Sequence, residues 1–184
     1  MLRLLEESGE ADVRWVVFAA HDVRAKEAKK SANYFLKGAR NSDVVLKNFR
    51  DGFFPYDGAE IKAYFEQMKG DFEPDLILTH FRQDLHQDHR LISELTWNTY
   101  RDHAILEYEV VKYDGDLGCP NFFVHLDEDI CRRKIKGLEE CFESQRGRRW
   151  FTPETFLSLM RIRGVESNSP SRYAEGFYFR KMVY

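Results

Sequence analysis

No stretch of this chain is apolar for long enough to cross a membrane; none approaches the roughly 18 residues that a helical span requires. No secretory leader is expected, because Met1–Glu10 holds only four apolar residues and turns acidic at once. Concentrated positive charge is missing. The 28 Lys and Arg are interspersed with 31 Asp and Glu, for a formal net charge of −3. That argues against general nucleic-acid binding, which needs a concentrated basic surface. Cysteine is scarce. Cys119, Cys131 and Cys141 make an odd count without a C-x-x-C, which excludes a four-cysteine zinc site. Reduced thiols in a cytoplasmic protein are expected rather than a disulfide framework. No G-x-G-x-x-G follows any predicted strand, so a dinucleotide-binding Rossmann protein is the weakest α/β reading. There is no internal repeat, low-complexity tract or linker.

What is present is enough for a core. With 184 residues, 43% hydrophobic and 15% aromatic, the chain is expected to form one folded domain. Leu2, Leu4 and Leu5 read as the tail of a helix over Met1–Glu7, stopped by Gly9 and lacking a cap. Strands are expected at Arg14–Ala20, Asp43–Phe49, Leu76–Thr79, Ile105–Lys112, Asn121–Leu126 and Tyr173–Val183. Helices are expected from about Arg24 to Lys37, with Asp22 as cap, and at Gly58–Lys69. Further helices should lie within Leu85–Tyr100, from Asp127 to about Ser144, and from Thr152-Pro153 to near Gly164. Strands alternating with helices predict a mostly parallel sheet covered on both faces.

One stretch concentrates chemistry. Pro74–Arg90 runs from the apolar Leu76-Ile77-Leu78 into a polar loop and then a helical pattern with Leu91, Ile92 and Leu95. That is half of a βα unit, and ligands of open α/β sheets sit outside the carboxyl ends of the strands. His86, Asp88 and His89 form H-x-D-H. Histidines three apart on a helix can face the same way, and a carboxylate nearby can orient an imidazole. By spacing alone, a polar helix start on the surface explains the motif about as well as a site does. Its place after a buried strand tips the balance toward function.

The stretch P-D-L-I-L-T-H-F-R-Q-D-L-H-Q-D-H-R resembles the second signature of the PIG-L/LmbE-like zinc deacetylases. Arg24-Ala25-Lys26-Glu27-Ala28 resembles that family's R-x-x-E-A helix start, and Tyr173-Ala174-Glu175-Gly176-Phe177 its Y-A-E-x-F strand. The matches fall in family order across most of the chain. The resemblance implies a Rossmann-like three-layer α/β fold and zinc-dependent removal of N-acetyl groups from N-acetylglucosamine-type conjugates. It implies that His89 is a zinc ligand, that His86 stands beside the substrate carbonyl as a cation, and that Asp88 orients a histidine. The family's first signature, A-H-x-D-D-E, which supplies two ligands and the base, has no counterpart here. His21-Asp22 precedes R-x-x-E, where the family has its second strand. The expectation is therefore a domain shortened at its amino end, with its first strand missing and zinc bound weakly or not at all.

Other residues enter with alternatives attached. Arg24 can pair with Glu27 across one turn or meet substrate. Asp84 can hydrogen-bond His86, contact substrate or shape the turn. Arg149, with Arg146, Arg148 and Trp150, can hold an anionic sugar nucleotide or form a solvated basic loop. His80 can support the site or be a structural histidine, and Glu175 reads as a surface acid. The leading function is N-deacetylation of a small amino-sugar conjugate. The alternative is a non-catalytic carbohydrate or nucleotide-sugar binding module on the same fold. Assembly into a homo-oligomer is compatible with either.

Overall fold

The structure, a computed structural model, describes residues 1–181. Six α-helices, two short 3-10 helices and six strands lie along them. In chain order the α-helices and strands are α1 (Leu2–Ser8), β1 (Asp12–Val17), α2 (Asp22–Phe35), β2 (Asn41–Leu46), α3 (Gly58–Asp71) and β3 (Leu76–His80). Then come α4 (Gln87–Thr99), β4 (Ala104–Tyr108), β5 (Phe122–Leu126), α5 (Glu128–Cys141), α6 (Pro153–Glu166) and β6 (Tyr173–Phe179). They alternate except where β5 follows β4 and α6 follows α5. The predicted end of the last strand, 182–183, lies outside the described residues. The strands form two sheets, a parallel pair β1-β2 and a four-stranded sheet in the order β3-β4-β6-β5. β3 and β4 run parallel, while β4 and β6 run antiparallel. The chain divides into two compact units, residues 1–49 with 125–175, and residues 50–124 with 176–184.

In the first unit, β1 pairs with β2 from Asp12↔Asn41 to Val17↔Leu46. Leu5 of α1 packs with Ala32 and Leu36, and Val13, Trp15 and Val44 lie against them. Burial of this apolar surface holds the short α1 in place, since a seven-residue helix without a side-chain cap is not stable alone. Gly9 closes it in the left-handed conformation, φ 63°. α2 departs from expectation at its start. His21, not Asp22, is the N-cap, and Asp22 is the first helical residue with φ 43°. Gly137 of α5 lets that helix press on α2: a Cβ there would collide with the rings of Tyr34 and Phe35. The caps read from sequence on α5 and α6 are made, Asp127 accepting from the Ile130 amide and Thr152 from the Thr155 amide.

In the second unit, α3 and α4 pack on each other and α4 on β3. Ile61 and Ile105 are fully buried. Thr79 on β3 and Thr96 on α4 join through their hydroxyls at 3.1 Å. β4 ends at Tyr108, four residues before the predicted end, and residues 109–112 leave the sheet. That early departure brings Lys112 to the loop after β3.

Candidate active site

The loop between β3 and α4 is held from all sides. Its turn closes through the Asp84 amide and the Phe81 carbonyl, 3.1 Å apart. Arg90 reaches back from α4 and donates to the carbonyls of Leu85 and Asp84. Asp84 is 1% exposed. Its Oδ1 accepts the His86 amide at 2.8 Å, and its Oδ2 accepts from His89 Nδ1 at 2.9 Å and from Lys112 Nζ at 3.0 Å. Burial alone would push the Asp84 carboxyl up. The hydrogen bonds from His89, Lys112 and the His86 amide outweigh that and hold it well below the usual carboxylate range. Asp84 is thus an anion, and His89 presents Nδ1–H to it.

The two histidines of H-x-D-H are thereby set in complementary forms. His89 spends Nδ1–H on Asp84, which leaves the Nε2 lone pair free. His86 is the N-cap of α4, and its Nδ1 accepts the Asp88 amide at 3.3 Å. An accepting Nδ1 carries no proton, so the proton of His86 sits on Nε2. The rings lie 4.6 Å apart, centroid to centroid. In this arrangement His86 turns its Nε2–H away from the helix start.

Behind them, His80 stacks on His89 with centroids 3.9 Å apart and planes 7° apart. Its Nε2 meets the Tyr108 hydroxyl at 3.4 Å, and its Nδ1 is buried without a hydrogen-bond partner. Burial, with His89 beside it, pushes His80 down to about 3, so it is a neutral ring that walls the site.

A tetrahedral zinc site needs three protein donors aimed at one point. Stacked rings such as His80 and His89 point their nitrogens side by side, and His89 Nδ1 is committed to Asp84. Among the described residues, no group of three or more His, Cys, Asp or Glu side chains is arranged to hold a metal ion. The described residues do not make up a zinc site by themselves.

Set against known families, residues 7–100 match the model of the PIG-L family, GlcNAc-PI de-N-acetylase. The chain belongs to the PIG-L family. A search of curated proteins by sequence returns no match. Among solved structures, GalB, the 4-carboxy-2-hydroxymuconate hydratase of Pseudomonas putida KT2440, is similar with 17% identity and a TM-score of 0.73, over 100% of this chain and 90% of that one. A triple mutant of a deacetylase of the teicoplanin biosynthetic pathway gives 16% identity and 0.71, over 97% and 89%. N,N'-diacetylchitobiose deacetylase of Pyrococcus horikoshii gives 18% and 0.63, over 96% and 75%. At these identities the likeness is one of fold. It agrees with the Rossmann-like, mostly parallel α/β architecture expected from the sequence.

Within this PIG-L chain, Asp84, His86, Asp88 and His89 come together around one helix start. Two roles move. Asp88 was expected to orient a histidine. Its carboxylate instead accepts the amides of Gly52 at 2.6 Å and Phe54 at 3.1 Å, so it ties the 52–54 turn to α4. The carboxylate on a histidine is Asp84, for which a bond to His86, a contact with substrate and a role in the turn were open; it is buried and accepts from His89 Nδ1 and the His86 amide. Arg24 and Arg149 are exposed residues of the first unit, on α2 and in the turn after α5. Glu27, expected on the surface beside Arg24, is buried and accepts from the amide and hydroxyl of Ser144, both at 2.7 Å. Glu175 pairs with Lys134. Sequence reading missed Lys112 and Asp116. The signal available was a charged pair at i,i+4 inside a glycine-containing loop.

Proposed function

We propose that this chain is an N-deacetylase that removes the acetyl group from a small amino-sugar conjugate. The observation that carries the proposal is the locked pair His86 and His89, one offering an N–H and the other a lone pair. Amide hydrolysis needs both. Negative charge develops on the acetamide oxygen as water adds to the carbonyl carbon, and a fixed N–H donor stabilises it. In this reading His86 Nε2–H is that donor. His89 Nε2 is the lone pair suited to ligate a metal or accept a proton. The anion Asp84 holds the tautomer of His89, so the division of labour is set before substrate arrives. Asp88 serves catalysis indirectly, by fixing the turn beside the helix start.

Zinc dependence and an N-acetylglucosamine-type substrate are the finer part of this proposal. They rest on family membership and on the deacetylases among similar folds. A zinc-dependent reaction needs ligands beyond those the described residues supply. In the same reading the chain forms one PIG-L-like domain.

The test is acetate release from a panel of N-acetylated amino-sugar conjugates, with zinc content measured in parallel. His86→Ala should leave bound zinc unchanged and lower turnover about 100-fold. His89→Ala should abolish residual zinc binding. Equal loss of zinc in both would show the roles to be misassigned. The incomplete ligand set supports a second reading, a non-catalytic module that binds carbohydrate or nucleotide sugar. Saturable binding of the panel without acetate release would establish it. A fold shared with a hydratase does not choose between them, because function lies in the site.

A further inference from the structure

The loop after β4 does more than connect strands. Lys112 is 11% exposed at its side chain, and it points at Asp84 Oδ2 from 3.0 Å. The same ammonium pairs with Asp116, which is 6% exposed. Asp116 Oδ2 in turn accepts the Leu85 amide at 2.7 Å, from the loop that carries Asp84 and His86. Four groups thus stand in a row: Asp116, Lys112, Asp84 and His89. Two loops that are far apart in sequence are clasped by charge where neither has regular structure.

Physical chemistry gives this row a purpose. A buried carboxylate with one neutral partner on Oδ2 is costly to keep and free to turn. With Lys112 on the same oxygen and the His86 amide on the other, both oxygens of Asp84 are fixed in direction. The direction of Oδ2 decides which nitrogen of His89 carries the proton. Lys112 and His89 meet on the same oxygen, Asp84 Oδ2, so the action of Lys112 on the ring passes through Asp84. Asp116 holds the ammonium in place and anchors Leu85, which keeps the row from drifting with the loop.

We propose that Lys112 is a positioning residue for His89, acting through Asp84, and that Asp116 locks it there. The statement deepens the deacetylase reading and rests on it only for the kinetic consequence; the effect on His89 does not depend on it.

The experiment uses the full chain. Imidazole nitrogen NMR of wild type at fixed neutral pH should show His89 as a single Nδ1–H tautomer. Lys112→Met should give a tautomer mixture and faster hydrogen exchange at the Leu85 amide. Lys112→Arg should restore most of the wild-type signature, since a cation of similar reach returns. Asp116→Asn, which keeps side-chain shape should Lys112→Met fail to fold, should raise Leu85 exchange about tenfold or more. If the wild type releases acetate, Lys112→Met should lower kcat about 10- to 100-fold with KM within about twofold. A single Nδ1–H tautomer and unchanged Leu85 exchange in a folded Lys112→Met or Asp116→Asn protein would overturn the proposal. Absence of acetate release in wild type would count against the deacetylase reading alone, because the NMR result still decides the role of Lys112.

Discussion

Two carboxylates at neighbouring places in the second unit are equally buried and differently used. Glu107 on β4 is 0% exposed, and Asp84 in the loop after β3 is 1% exposed. Glu107 accepts from Trp97 Nε1 at 2.6 Å, the Arg82 amide at 2.9 Å, and Arg180 Nε and Nη2 at 2.7 and 3.0 Å. All of its partners are structural, and they join α4, the loop after β3 and the segment after β6. Asp84 has one structural amide and two side chains, and one of these is the imidazole of the proposed site. The comparison separates two tasks that burial alone does not distinguish. One carboxylate ties elements together; the other sets the proton on a neighbouring ring.

Removing each should therefore damage a different property. Glu107→Ala leaves a guanidinium, an indole N–H and an amide without their acceptor, and should cost about 3–5 kcal/mol of stability. Glu107→Gln, which keeps the shape, should cost about 1–3 kcal/mol. Denaturant unfolding measures both. Stability within 0.5 kcal/mol of wild type, on the order of a surface change, would remove Glu107 from its structural role.

Asp84→Asn should do the reverse. The amide keeps the volume and much of the hydrogen bonding, but one of its terminal atoms becomes a donor and no longer fixes the His89 tautomer. We expect acetate release to fall about 100-fold while stability changes by about 1–2 kcal/mol, which is smaller than for Glu107→Ala. Kinetics and denaturant unfolding on the same preparation test the pair. A large stability loss with proportionate activity loss would merge the two carboxylates into one class.

The contrast also shows what the sequence could reveal. The order of strands and helices, the caps at Asp127 and Thr152 and the stop at Gly9 were legible, because each depends on residues within a few positions. The cluster of Asp84, His86 and His89 was legible for the same reason. Which carboxylate meets which ring was not. Asp84 and Asp88 are both near His86 and His89 in sequence, and only the 52–54 turn, far away in the chain, draws Asp88 off. Lys112 and Asp116 were missed because the predicted strand Ile105–Lys112 ends early at Tyr108, and their i,i+4 spacing does not say that the pair turns toward the loop after β3. Glu107 inside the same predicted strand reads as a poor core residue until Arg180, 73 positions on, is beside it.

His80 sharpens the comparison from the cationic side. It is buried against His89 and lacks a partner at Nδ1, whereas both carboxylates are fully served. Burial depresses it from 6.5 to about 3. A depressed histidine favours the neutral form in the fold, so its contribution is fully present above pH 6.5. It falls as the pH drops below 6.5 and levels off near the folded value. At pH 5 the loss should be about 2 kcal/mol relative to neutral pH. Urea midpoints at pH 7 and pH 5 test this against His80→Asn, which should flatten the difference. An identical pH dependence in the variant would place the titration elsewhere.

The smallest effect belongs to a carboxylate that matches Glu107 in partners and differs in burial. Asp12 accepts from Arg40 through both oxygens, Nε at 2.9 Å and Nη2, and from Asn41 Nδ2 at 2.8 Å. The hydrogen bonds from Arg40 and then Asn41 bring it down to about 2. The sign is that of a depressed acid. Its contribution is present above pH 4 and is lost as the pH falls through the folded value. Asp12 stands in solvent, however, so water and salt screen the pair, and exposed ion pairs contribute little. Asp12→Asn should leave the melting temperature at neutral pH within experimental scatter, and added salt should not separate it from wild type. If Asp12→Asn matched Glu107→Gln in cost, the number of partners rather than burial would set the worth of a carboxylate in this fold. The reason for setting Glu107 beside Asp84 would then have to be sought in their partners alone.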